Sequence, residues 1–213
     1  MNARETYTLL MRALTGLSKE YYKAWGDRLS RLDEQSRQYL LERISPFITQ
    51  FDRSKVRTWT PIFEILNEAK GYEYLLTLEC SEVSFIRRPE SHTTPTTPDV
   101  RGTTAFREVL CEVKTVNFSD REISRMRTIQ GPARGLPEGL KLKIEQDYDT
   151  ARKQLFSSAI PVRGPVQRIC YFCFNLDLSF VLADSNKELL DGYLKQIEKD
   201  CEIVQSTKWP GDE

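Results

Sequence analysis
The sequence predicts an α/β protein: a mixed central β-sheet flanked by helices, with a helical extension at the N-terminus. Three observations predict it. Residues 168–176, RICYFCFNL, are apolar on both faces, as a central strand covered by helices on either side must be. Residues 106–113 are rich in aromatic and branched side chains behind the turn signal Gly102-Thr103-Thr104, which reads as a second strand. Between them Ile144, Tyr148, Ala151 and Leu155 recur at helical spacing, so residues 143–158 should form an amphipathic helix packed on the sheet.

Taken in order, residues 1–56 look helical and strongly charged, with Leu29, Leu32, Tyr39, Leu40 and Ile44 giving an apolar stripe that Pro46 interrupts. The core is expected to start later, so residues 1–56 are assigned as an extension and residues 57–213 as the core domain. The extension could be a dimerisation arm, a DNA-contacting appendage or a cap on the sheet. Its basic residues, Arg28, Arg37 and Arg43 among them, interleave with acids, the pattern of a solvated helix face. Thr60 is placed as the N-cap and Pro61 in the first turn of a helix over 62–69 that Gly71 stops. Residues 72–77 and 83–86 read as two short strands. Residues 89–97, PESHTTPTT, form a polar loop. Residues 115–141 show no sustained apolar period apart from a short helix near 120–126. Arg121, Arg125, Arg127 and Arg134 there either contact substrate phosphates or belong to a solvated loop. A last helix, capped by Asp184 or Ser185, presents Leu190, Tyr193, Leu194, Ile197 and Cys201 as one stripe. A helix, three strands, a helix and a strand imply a mixed sheet covered on both sides.

Hydrophobic residues at 39% and charged residues at 29% over 213 residues describe a globular chain long enough for one well-buried core and a small helical appendage. No apolar run approaches a membrane span, and the N-terminus lacks the uncharged core of a secretion signal, so a cytoplasmic protein without a membrane partner is expected. With 31 basic and 31 acidic residues there is no overall field drawing the chain onto nucleic acid, and any such binding must be local. Five scattered cysteines suit a reducing compartment; Cys170 and Cys173 fall on opposite faces of a strand, as buried thiols rather than zinc ligands. The single histidine, His92, excludes mechanisms that need two.

The chemistry concentrates in residues 98–114, PDVRGTTAFREVLCEVK. On a strand Leu110, Glu112 and Lys114 share one face and Val109, Cys111 and Val113 the other, which sets Glu112 and Lys114 side by side, about 7 Å apart along the strand. Turn signals let the chain double back as a hairpin and bring Asp99 beside the end of the Glu112 strand. Mg²⁺ takes oxygen ligands, with one or two protein carboxylates and the rest water or phosphate oxygens. Asp99 and Glu112 could supply that pair, and Lys114 could orient a water or neutralise charge developing on phosphate.

Pro98-Asp99, twelve intervening residues and Glu112-Val113-Lys114 resemble the PD-(D/E)XK signature of the restriction-endonuclease-like nuclease superfamily. The resemblance covers those seventeen residues strictly, and residues 62–176 loosely by element order. It implies a restriction-endonuclease-like core and a Mg²⁺- or Mn²⁺-dependent endonuclease acting on DNA, with the duplex as its expected partner and a homodimer as one arrangement the extension allows. It further implies that Asp99, Glu112 and the Val113 carbonyl hold the metal, with Glu64 from the preceding helix and Glu68 in reserve. Lys114 would position the attacking water, and Gln154 on the following helix would orient water or phosphate. At 100° per residue Glu64 and Glu68 both fall away from the stripe of Ile62, Leu66 and Ala69, so a solvated Glu64 is the alternative; Gln154 is likewise either a site residue or helix surface. The rival function is a catalytically inactive nucleic-acid-binding or assembly module that retains the fold. An unrelated α/β protein would instead hold Asp99 and Glu112 far apart.

Overall fold
The computed structural model describes residues 1–16, 19–51, 58–87, 97–117, 136–157, 160–162, 164–174 and 184–206, apart from the side chains of residues 20, 21 and 184–187. His92, Arg121, Arg125, Arg127, Arg134, the helix expected near 120–126 and the capping side chains of Asp184 and Ser185 lie outside that set. Four helices come first, α1 (Ala3–Thr15), α2 (Lys19–Arg31), α3 (Glu34–Ile48) and α4 (Thr60–Thr77). Strands β1 (Ser81–Phe85), β2 (Val100–Thr103) and β3 (Glu108–Val116) follow, then α5 (Glu138–Leu155), β4 (Val166–Phe174), α6 (Asp184–Ile197) and β5 (Glu202–Gln205).

The five strands form one sheet in chain order. Strands β1, β2 and β3 pair antiparallel, whereas β3, β4 and β5 run parallel. Parallel neighbours need a crossover, and α5 and α6 supply the two. Alternation along β3 and β4 divides the core in two. Val109, Cys111, Val113, Ile169, Tyr171 and Cys173 face the cluster built by α1–α4, while Leu110, Cys170, Phe172 and Phe174 face α5 and α6. The sheet is therefore mixed and flanked by helices on both sides. Cys170 and Cys173 do lie on opposite faces, and burial pushes both thiols up, Cys173 to about 11. No described helix is long and apolar enough to cross a membrane.

Several local expectations need correcting. Residues 72–77 are the last turns of α4, not a strand. Their aromatic and branched content favours β structure, but Tyr72 and Leu75 continue the buried helical pattern of Leu66 and Ala69, and packing overrides propensity. Nor does Gly71 stop the helix. A Cβ there would lie 2.5 Å from Val113 Cγ2, so Gly71 lets α4 press against β3. Gly71→Ala is expected to lower stability by about 1–3 kcal/mol in urea melts, because overpacking against a stiff valine exceeds the roughly 1 kcal/mol gained in helix propensity.

Thr60 is the first helical residue rather than the cap, and Trp59 in the capping position makes no side-chain cap bond. Pro46 sits in the last turn of α3 without ending it. The core does not start at residue 57: Leu10, Leu14, Trp25, Leu29, Leu40 and Ile44 are buried in the same cluster as α4 and one sheet face. Phe106 is not in β3. It is 88% exposed in a turn held by Thr104, whose hydroxyl accepts from the Phe106 and Arg107 N–H groups at 3.3 and 3.2 Å. Cys201 lies beyond α6, leading into β5, a strand too short and too polar to announce itself.

Candidate active site
The β2–β3 hairpin sets Asp99, just before β2, alongside Glu112 of β3. Val100 faces Cys111, so Asp99, one step earlier, stands opposite Glu112. Asp99 is fixed between strands: Ile86 N–H donates to its carbonyl at 2.8 Å, and its own N–H donates to the Cys111 carbonyl at 3.1 Å. Cross-strand neighbours have Cβ atoms about 4.5–5.5 Å apart, close enough for both side chains to share one site. Asp99 Oδ2 accepts from Val113 N–H at 2.9 Å. Asp99 and Glu112 are 3% and 1% exposed, so burial of each carboxylate is costly unless its oxygens are bonded or charge-paired.

Lys114 answers Glu112. Its Nζ donates to Glu112 Oε1 at 2.7 Å and to Gln154 Oε1 at 2.7 Å, while Gln154 Nε2 donates to the Thr97 carbonyl at 3.3 Å. The face-sharing of Glu112 and Lys114 expected on a strand is thus realised. Gln154 is buried against the ammonium and is not helix surface.

The network opens into a cleft of about 600 Å³. Arg43 of α3, Glu64 and Glu68 of α4, residues 112–115 of β3, and Lys143, Asp147 and Gln154 of α5 line it. Of the α4 residues 62–72, Glu64 alone is not buried; it stands on the cleft wall and accepts from Asn117 Nδ2 at 3.3 Å. Glu68 does not fall away from the core as its helical angle suggested, because α4 is buried almost all round. Its carboxylate takes Arg43 in a two-pronged pair, Nη2 to Oε1 at 2.7 Å with Nη1 bonded to Oε2. Lys143 Nζ pairs with Asp147 Oδ1 at 2.5 Å.

Comparisons with protein-family models, with curated proteins and with solved structures return no match for this chain.

Among the described residues that line the cleft, Arg43, Lys114 and Lys143 stand with Glu64, Glu68, Glu112 and Asp147. Asp99 and Glu112 are the hard oxygen donors that Mg²⁺ accepts in ones and twos, and Glu64 is a third on the cleft wall. Among the described residues no three or more His, Cys, Asp or Glu side chains gather into a metal-binding group. A cation placed between Asp99 and Glu112 would have to draw most of its shell from water and substrate.

Partial removal from water raises the Glu64 carboxyl above its ordinary 4.5, with Asp147 adding to the rise and Lys143 and Lys114 opposing it. The folded protein then keeps this proton to higher pH than the unfolded chain does. Its contribution to stability is present at low pH and is lost as pH rises from 4.5 through the raised value. In thermal melts between about pH 4 and about pH 8, Glu64→Gln should flatten that loss and melt above the unsubstituted protein at neutral pH.

Arg43, Lys143 and Asp147 escaped the sequence. For two of them a signal existed: Lys143, Asp147 and Gln154 are spaced by four and seven, a polar stripe along α5 beside the apolar one. Arg43 had none, since its place depends on how α3 lies against α4.

Proposed function
We propose that this protein is a divalent-cation-dependent endonuclease that hydrolyses phosphodiester bonds of DNA, on a core of the restriction-endonuclease-like type. The observation that carries the reading is the joining of Asp99, Glu112 and Lys114 by one hairpin, with Gln154 bonded to the lysine. A Mg²⁺ or Mn²⁺ ion held by Asp99 and Glu112, with the Val113 carbonyl as a further oxygen donor, would polarise a phosphoryl oxygen and lower the pKa of an attacking water.

The chain's own residues supply the remaining terms. Lys114 presents an ammonium beside Glu112, where charge would develop on the pentacoordinate phosphorane-like centre and on the water losing its proton. Gln154, anchored through Nε2 to the Thr97 carbonyl, gives the ammonium a second acceptor besides Glu112 and limits its motion. Burial of Glu112 keeps bulk water away from this end of the cleft, which strengthens each of these interactions.

The test is incubation of supercoiled plasmid with the protein in Mg²⁺, Mn²⁺ or EDTA. Nicked or linear product in the metal lanes alone supports the reading. A folded protein that is inert in all three, with a melting temperature indifferent to both ions, would be the inactive binding or assembly module instead.

A further inference from the structure
We infer that Arg43 is a substrate-binding residue: its guanidinium takes a phosphate of the nucleic-acid backbone beside the scissile bond, so that the N-terminal helices supply one wall of the site. This rests on the nuclease reading and extends it from the hydrolytic residues to the path of the strand. Arg43 belongs to α3, yet it lines the same cleft as Glu112 and Lys114. Its guanidinium is held on two sides, edge-on by both oxygens of Glu68 and over the Tyr39 ring at 5.4 Å. A guanidinium so positioned matches the paired oxygens of a phosphate as it matches those of a carboxylate, and a phosphate entering the cleft can share or take the place of Glu68.

Stability alone gives little reason for the pair. The side chains are 23% and 7% exposed, and a buried ion pair of this kind is commonly no more stabilising than apolar side chains of similar size. Among the described residues that line the cleft, Lys143 of α5 is the weaker candidate for this role. It is 44% exposed and makes an ordinary i,i+4 pair with Asp147 on its own helix.

The experiment compares the unsubstituted protein, Arg43→Lys and the double variant Arg43→Met/Glu68→Met. Each is titrated into a fluorescent DNA duplex in EDTA, so that no cleavage occurs, across a salt series. The double variant removes both charges at once and leaves no carboxylate buried without its partner, and circular dichroism confirms its fold. It should bind about tenfold more weakly and lose about one unit from the slope of log K against log salt. Arg43→Lys keeps the charge but not the two-pronged geometry, so its slope should be unchanged while its affinity falls. A folded double variant with unaltered affinity and slope overturns the role of Arg43 and leaves the nuclease reading intact. If the unsubstituted protein binds no duplex and cleaves no plasmid, both fall together.

Discussion
Lys114→Ala is expected to lower metal-dependent plasmid cleavage by about 10³-fold while leaving duplex affinity in EDTA nearly unchanged. The size follows from what the side chain would do on the nuclease reading: a half-buried ammonium beside the developing charge would act on the transition state more than on bound substrate, so the loss would fall on rate. Its geometry also predicts an effect of opposite sign. Lys114 Nζ holds Glu112 Oε1 at 2.7 Å, so a cation bound through that oxygen would share it with the ammonium or displace it. With the lysine gone the carboxylate, 1% exposed, loses a partner; the variant should melt below the unsubstituted protein in EDTA and gain more from added Mg²⁺. Differential scanning fluorimetry over a Mg²⁺ series reads both shifts. Undiminished cleavage by the variant would remove Lys114 from the mechanism.

Asp99→Asn carries the second large effect. Asparagine keeps an oxygen able to accept from Val113 N–H, so the contact at the head of the hairpin survives while the charge is lost. Cleavage is expected to fall by about 10³-fold, comparable to removing another electrostatic group from an active site. The melting temperature in EDTA should stay close to that of the unsubstituted protein. The response to Mg²⁺ should disappear, whereas a cation at a hundredfold excess over its Kd stabilises the intact site by about 2.7 kcal/mol. An Asp99→Asn protein that still gains stability from Mg²⁺ would place the cation elsewhere.

The part of the site that could be read from the chain lies within one hairpin and its neighbouring helix. A period of two assigned Glu112 and Lys114 to one face of β3, and the turn signal at Gly102-Thr103-Thr104 let the chain double back, although Gly102 and Thr103 belong to β2 and the turn begins at Thr104. A period of 3.6 placed Ile144, Tyr148, Ala151 and Leu155 against the sheet, and the α/β class followed from the order of these elements. The same period failed on α4. A helix buried on nearly every side has no single apolar stripe, and its last turns, Tyr72 to Thr77, carry the composition of a strand.

The amino-acid order by itself determined which side chains share a face within each strand and helix, because that is fixed by backbone geometry a few residues at a time. Only the tertiary structure decided that Glu68 belongs to Arg43, that Gln154 reaches Lys114, and that helices from the first 48 residues are part of the core. Those contacts join residues 25 and 40 positions apart, or whole elements. They are set by which buried surfaces fit together when α4 closes on β3 at Gly71, and no local period records that fit.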